Sequence, residues 1–388
     1  MDAQKLPKSV FWVQLLVILS FCSIAILNLI PLYFEHLGGR PKQIGFLIGL
    51  FPLASFLARP FGGWILSRFD PKKILIAGLF LQFSVTSLYP LVTKLNVFIV
   101  FIRFFHGVGL SLFILAALYI AVLVVREDQK AYALGVVSSG FMLPLIIIPF
   151  LGEEIIVRFG FLAFFLAAIL LAFIPFVLSF FTKISLRPVK EESIVPGSGF
   201  LRLLGKRKIL LIILLTFLFE IALSASLSFV PLLAHNEALL TAGIFYTLMG
   251  TVAVVVRLYG GKRLRIWGNP KLIAPSFLLV ALGGIVLYVA ASNWILALSG
   301  LLWGIGAGVL YPHLSSYVME GTRKNDRSKV LSLFASSVDL GFAMGPIFFG
   351  FISQYFGIQT AFLPFFLVFL VLSLTILAIG RKTLHMQQ

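Results

Sequence analysis

The chain has 388 residues, of which 60% are hydrophobic and 12% charged, and its formal net charge is +17 at pH 7. So little polar material cannot clothe a soluble fold of this length, and apolar runs of about 20 residues without alternation argue against a membrane barrel. What remains is a bundle of spanning helices, because a helix satisfies its own backbone amides in lipid.

Hydropathy predicts twelve spans, at 10–34, 43–66, 74–92, 97–124, 133–152, 161–182, 209–233, 240–261, 272–290, 294–319, 330–352 and 361–380. The stretch before the first span carries Lys5 and Lys8, as a signal peptide would. The apolar run is too long for such a segment and lacks a small-residue cleavage site, so it is read as a retained helix. With the N-terminus inside, Arg40, Lys42, Lys94 and Arg158 fall outside, and Arg59, Arg103 and Arg257 fall within spans. Every other Lys and Arg falls in a cytoplasmic segment. That asymmetry places both termini in the cytoplasm of a cell that holds the protein in its inner or plasma membrane. The basic balance therefore reflects topology, and no nucleic-acid partner is expected. Span five holds Gly140, Pro144 and Pro149, a breaker-rich helix of the kind transporters bend. The segment 183–208, with Pro188, Pro196, Gly197 and Gly199, is the longest polar stretch and separates an N-terminal bundle at 1–182 from a C-terminal bundle at 209–388. Cys22 is the single cysteine, so no intramolecular disulfide, metal site or cofactor is expected.

The two halves resemble each other. Arg59-Pro60-Phe61-Gly62-Gly63 leads into a basic turn at Arg68 to Lys73, and Arg257-Leu258-Tyr259-Gly260-Gly261 does the same before Lys262 and Arg263. Pro31 with Pro231, Gly107 with Gly306, Gly152 with Gly350, and Phe159-Gly160 with Phe356-Gly357 keep nearly the same offset of about 200 residues, which marks an internal duplication.

A 6 + 6 plan with a long central loop, together with the Arg59 segment, resembles the major facilitator superfamily, whose loop between helices two and three reads roughly G-x-L-A-D-R-x-G-R-K. Gly63, Ile65, Leu66, Arg68 and Lys72 match it, while Ser67 and Asp70 replace the family's Asp and second Gly. Arg103-Phe-Phe-His106-Gly107 resembles the family's helix-four R-x-x-x-G pattern, tied in several subfamilies to proton transfer. The antiporter signature G-x-x-x-G-P is incomplete in helix five, and a fuller copy stands at Gly341 to Pro346 in helix eleven. The resemblance implies an all-α membrane protein of two pseudo-symmetric six-helix bundles, working as a monomer, with helices one, four, seven and ten lining a cavity.

Ionisable residues near mid-bilayer cost about 2.5–3.5 kcal/mol on insertion scales and call for an explanation. At about 1.5 Å per residue, Glu220 lies about 18 Å beyond Lys208, Asp339 about 15 Å beyond Lys329 and Arg103 about 13 Å beyond Lys94. All three reach the middle of a core about 30 Å thick. The functional reading makes Glu220 and Asp339 proton or cation acceptors with Arg103 as counter-charge; the structural one makes them interhelical salt bridges. His106, one turn from Arg103, is either a proton relay or a packed neutral donor. Asn28 and Tyr311 add polar groups to cavity-lining helices. Arg59 and Arg257 either snorkel or form an inner gate with Gly62, Gly63, Arg68, Asp70, Gly260 and Gly261 around them.

The expectation is a secondary transporter working by alternating access in the bilayer, exporting small amphipathic molecules against protons. A metabolite symporter and a lipid or lysolipid flippase are the alternatives. No hydrolase or metalloprotease motif and no P-loop occurs in the sequence, so an enzyme is not expected.

Overall fold

The computed structural model describes residues 6–182, 200–236, 241–263, 270–320, 322–323 and 326–385. Among them the regular elements are all helical. The crossings in the first half are α1 (Lys8–His36), α2 (Pro41–Arg68), α3 (Pro71–Thr86), α4 (Val97–Leu123) and two more in the stretch that α5 (Lys130–Ser139) and α6 (Ile148–Phe181) make up. Those of the second half are α7 (Arg207–Asn236), α8 (Ala242–Arg263), α9 (Ile273–Tyr288), α10 (Asn293–Met319), α11 (Arg327–Phe356) and α12 (Ile358–His385).

Residues Tyr132–Phe181 form one apolar helical stretch of 50 residues. Laid straight it would run about 75 Å, more than twice the hydrocarbon core, so it contains two crossings. The break is at Gly160, with φ 77° and ψ 179° inside the helix. Its duplicate at Gly357 adopts φ 79° and ψ 158°. Only glycine takes such backbone angles at little cost, so the pairing seen in sequence is repeated as one turn conformation in both halves. With α9 as a shorter apolar helix, the described residues supply twelve crossings, as expected. The central segment 183–199 lies outside the described residues, and Phe200–Leu204 is a short helix at its end.

Starts and stops have local causes. Asp70 accepts from the backbone N–H groups of Lys72 (2.7 Å) and Lys73 (3.2 Å) and caps α3, with Pro71 in the first helical position. Asn96 caps α4 through Phe98 N–H at 3.0 Å, and Ser292 caps α10 through Ile295 N–H at 3.4 Å.

The chain divides into two compact units, residues 1–33 with 50–194 and residues 34–49 with 195–388. In the first, Val13, Leu16, Val17, Leu75, Leu79, Phe113, Ala117 and Ile120 are buried in a common core. Close approach comes from small residues rather than from hydrophobic driving force, as expected in lipid. Gly62 of α2 meets Leu115 of α4, and Gly78 of α3 meets the Phe113 backbone. In the second unit, Gly300, Gly304 and Gly308 form one stripe of α10 against Phe245, Val252 and Val256 of α8. The outlying residues 34–49 join this unit through Gly45 and Gly49, which lie against the backbone of α11 at Pro346 and Ala343. Phe80, Leu170, Trp294 and Val371 are among the large apolar side chains that remain exposed on the helices, a surface suited to acyl chains.

Candidate functional site

The second unit gathers two carboxylates and a guanidinium. Glu220 on α7 is 3% exposed, and Asp339 stands on α11. These helices come together because Gly341 and Gly345 lack side chains. A Cβ on Gly341 would stand 2.6 Å from the Phe217 carbonyl oxygen and 2.8 Å from Glu220 Cβ, and one on Gly345 would collide with Ser224 Oγ. Ser224 Oγ in turn donates to the carbonyls of Ile221 (3.3 Å) and Gly341 (3.4 Å). The G-x-x-x-G-P segment is thus the face against which Glu220 is held.

The charged groups that act on Glu220 are Arg257 of α8 and Asp339. Arg257 donates to the Ala307 carbonyl at 3.5 Å, and its guanidinium lies 5.7 Å from the centre of the Tyr311 ring, within cation–π range. Its Nε is buried without a hydrogen-bond partner. Tyr311 is half-exposed and sets its ring edge-on to Phe334 at 5.7 Å. An ionised Glu220 is a buried negative charge with a second acid in its field. Burial makes that charge expensive, and one proton or one bound cation removes it.

The first unit holds Arg103 and His106, 4% and 1% exposed, on α4. Arg103 Nη1 donates to Tyr89 Oη at 3.2 Å, and Tyr89 Oη lies 3.1 Å from His106 Nδ1. Phe51 of α2 covers both: its ring centre is 4.9 Å from the guanidinium and 4.9 Å from the imidazole. Gly107 makes this cover possible, since a Cβ there would strike the Phe51 carbonyl. The glycine of R-x-x-x-G is therefore a contact point between α4 and α2. Arg103 was expected as the counter-charge of Glu220 and Asp339; within the second unit Arg257 acts on Glu220.

The remaining expected residues are placed as follows. Asn28 lies half-buried in the short 3-10 turn Leu27–Leu29 that interrupts α1. Arg59 is half-buried in α2, Gly62 packs on Leu115, and Arg68 sets its guanidinium 4.6 Å from the Trp64 ring centre. Asp70, which departs from the family signature, is the α3 cap, a role glycine could not fill with a side chain. The surroundings of Gly63, Gly260 and Gly261 lie outside the described residues. Tyr89 and Phe51 were not anticipated. Tyr89 was readable, because Gln82, Thr86 and Tyr89 fall on one helical face and all three are buried. Phe51 carried no signal among so many phenylalanines. Among the described residues no group of three or more His, Cys, Asp or Glu could hold a metal ion.

Comparison with known proteins agrees with this architecture. The family profile described as Major Facilitator Superfamily matches residues 12–320 and, in an overlapping match, 263–385. The chain is 25% identical over 363 residues to the staphylopine export protein of Staphylococcus aureus, covering 90% of each chain. It is 26% identical over 346 residues to the multi-drug resistance efflux pump PmrA of Streptococcus pneumoniae, covering 86% of each. Among solved structures it matches a bacterial homologue of the human lysosomal transporter Spinster with TM-score 0.79 at 13% identity over 97% of both chains. The nucleoside transporter NupG matches with TM-score 0.79 at 13% identity, over 96% of this chain and 99% of that one. A family profile spanning nearly the whole length, on a fold of twelve crossings built from two similar halves, shows that the chain belongs to the Major Facilitator Superfamily.

Proposed function

We propose that this protein is a secondary active transporter that exports small amphipathic molecules, cationic ones among them, in exchange for protons. The observation that carries the reading is the buried carboxyl of Glu220, which has both Arg257 and Asp339 in its field. A proton and a cationic substrate each cancel the same buried charge, so they compete for it, and competition at one site is what antiport requires. The relatives named for export and multidrug efflux support the outward direction. Arg103, His106, Asn28 and Tyr311 are assigned to proton coupling or to substrate binding, each within its own unit. Arg59, Gly62, Gly63, Arg68, Asp70, Arg257, Gly260 and Gly261 support gating. The moving bodies are residues 1–182 and 209–388, joined by 183–208, in a monomer with both termini in the cytoplasm of a cell whose inner or plasma membrane it crosses.

Export is tested in cells that produce the protein and are loaded with the lipophilic cation tetraphenylphosphonium. Lower accumulation than in cells producing Glu220→Gln, abolished by a protonophore, is the expected result. Higher accumulation would assign uptake instead, and indifference to the protonophore would remove proton coupling.

A further inference from the structure

Hydrogen-bond arithmetic in the first unit singles out one donor. Tyr89 is fully buried, and its hydroxyl meets two groups, Arg103 Nη1 and His106 Nδ1. A guanidinium only donates, so Tyr89 Oη accepts from Arg103. If His106 Nδ1 also donated to it, the tyrosine proton would be buried with no acceptor, and Nε2 would be left as a buried lone pair. If Nδ1 accepts, the tyrosine proton is used and the imidazole proton resides on Nε2. The second arrangement leaves fewer orphaned groups and fixes the tautomer. It also leaves an N–H at Nε2, buried and without a hydrogen-bond partner. The chain runs from a positive charge through Tyr89 to the imidazole, and each bond polarises the next, so this N–H is a strengthened donor.

We propose that His106 Nε2–H is the specificity-determining donor of a subsite in the first unit that takes an acceptor oxygen of the transported molecule, a carboxylate above all. Arg103 and Tyr89 act as positioning residues, and Phe51, half-buried across both rings, supplies the apolar wall beside it. A buried donor left empty costs free energy that an acceptor recovers, and a polarised donor recovers most from a negative oxygen. His106 then serves as a fixed neutral donor rather than as a proton carrier. The inference rests on reading the chain as a transporter of amphipathic compounds.

The test uses rhodamine B, a cationic ring system bearing a free carboxylate, and its ethyl ester, which keeps the ring system and blocks the acid. Binding to purified protein in detergent is read by fluorescence anisotropy. Wild type should bind the acid at least about tenfold more tightly than the ester, the effect of one charge-assisted hydrogen bond. His106→Phe should bring the ratio of acid to ester affinity down to about one. His106→Gln, whose amide accepts at one end and donates at the other, should keep part of the preference. Tyr89→Phe frees the tautomer and should weaken the preference should His106→Phe fail to fold. Equal binding by wild type, no binding of either dye, or a preference that survives His106→Phe overturns the proposal; a permanently bound water satisfying Nε2 would give that outcome. The preference without export of either dye from energised vesicles would leave the subsite standing and remove the exporter reading.

Discussion

At the scale of single residues, coupling depends on which charges meet. Glu220, Asp339 and Arg103 were recognisable from sequence because an ionisable group in an apolar run is conspicuous and its depth follows from the helical rise. What depth cannot reveal is azimuth. Arg257 lies close to a basic turn in sequence, and its position beside Tyr311 and within the field of Glu220 depends on how α8 faces α7 and α10. If Glu220 is the group that proton and substrate share, Glu220→Gln should abolish coupled transport while the protein still inserts. Size-exclusion profiles and transport measured side by side check this. Arg257→Lys keeps the charge but loses the planar face that lies over Tyr311 and should reduce transport about tenfold. Normal transport by Arg257→Ala would make the arginine an anchor only.

At the scale of helices, the sequence showed where glycines recur but not which partner each one meets. Gly341 and Gly345 were noticed as a signature, and the structure shows that they admit α7 to contact with α11. Gly341→Leu should therefore force the helices apart and lower stability by about 1–3 kcal/mol, the cost of overpacking a close contact. Gly135→Ala in α5 is the control, because a Cβ there meets nothing within 4 Å. It should be neutral or stabilising by up to about 1 kcal/mol, as alanine is the better helix former. Thermal unfolding of the purified variants in one detergent separates the two. Asp70→Ala removes the α3 cap and should cost about 1 kcal/mol in the same assay.

At the scale of the whole molecule, most of the fold was legible. Lipid allows few answers, so hydropathy gave the number of crossings, and the offset between halves gave the duplication. The repetition of one backbone turn at Gly160 and Gly357 shows the duplication at atomic detail. The assignment of residues 34–49 to the second unit was not legible, since it follows from packing of Gly45 and Gly49 on α11. Orientation is checked by labelling. In a Cys22→Ser background, Lys94→Cys should react with a membrane-impermeant maleimide in intact cells, and Gly205→Cys only after permeabilisation. The reverse pattern would invert the topology.

The most direct measurement of the central claim is proton movement in energised everted vesicles that report internal pH through a dye. Addition of tetraphenylphosphonium should release protons from vesicles holding the wild-type protein and not from those holding Glu220→Gln. Equal release from both, or none from the wild type while it is folded and inserted, would contradict proton-coupled export through Glu220.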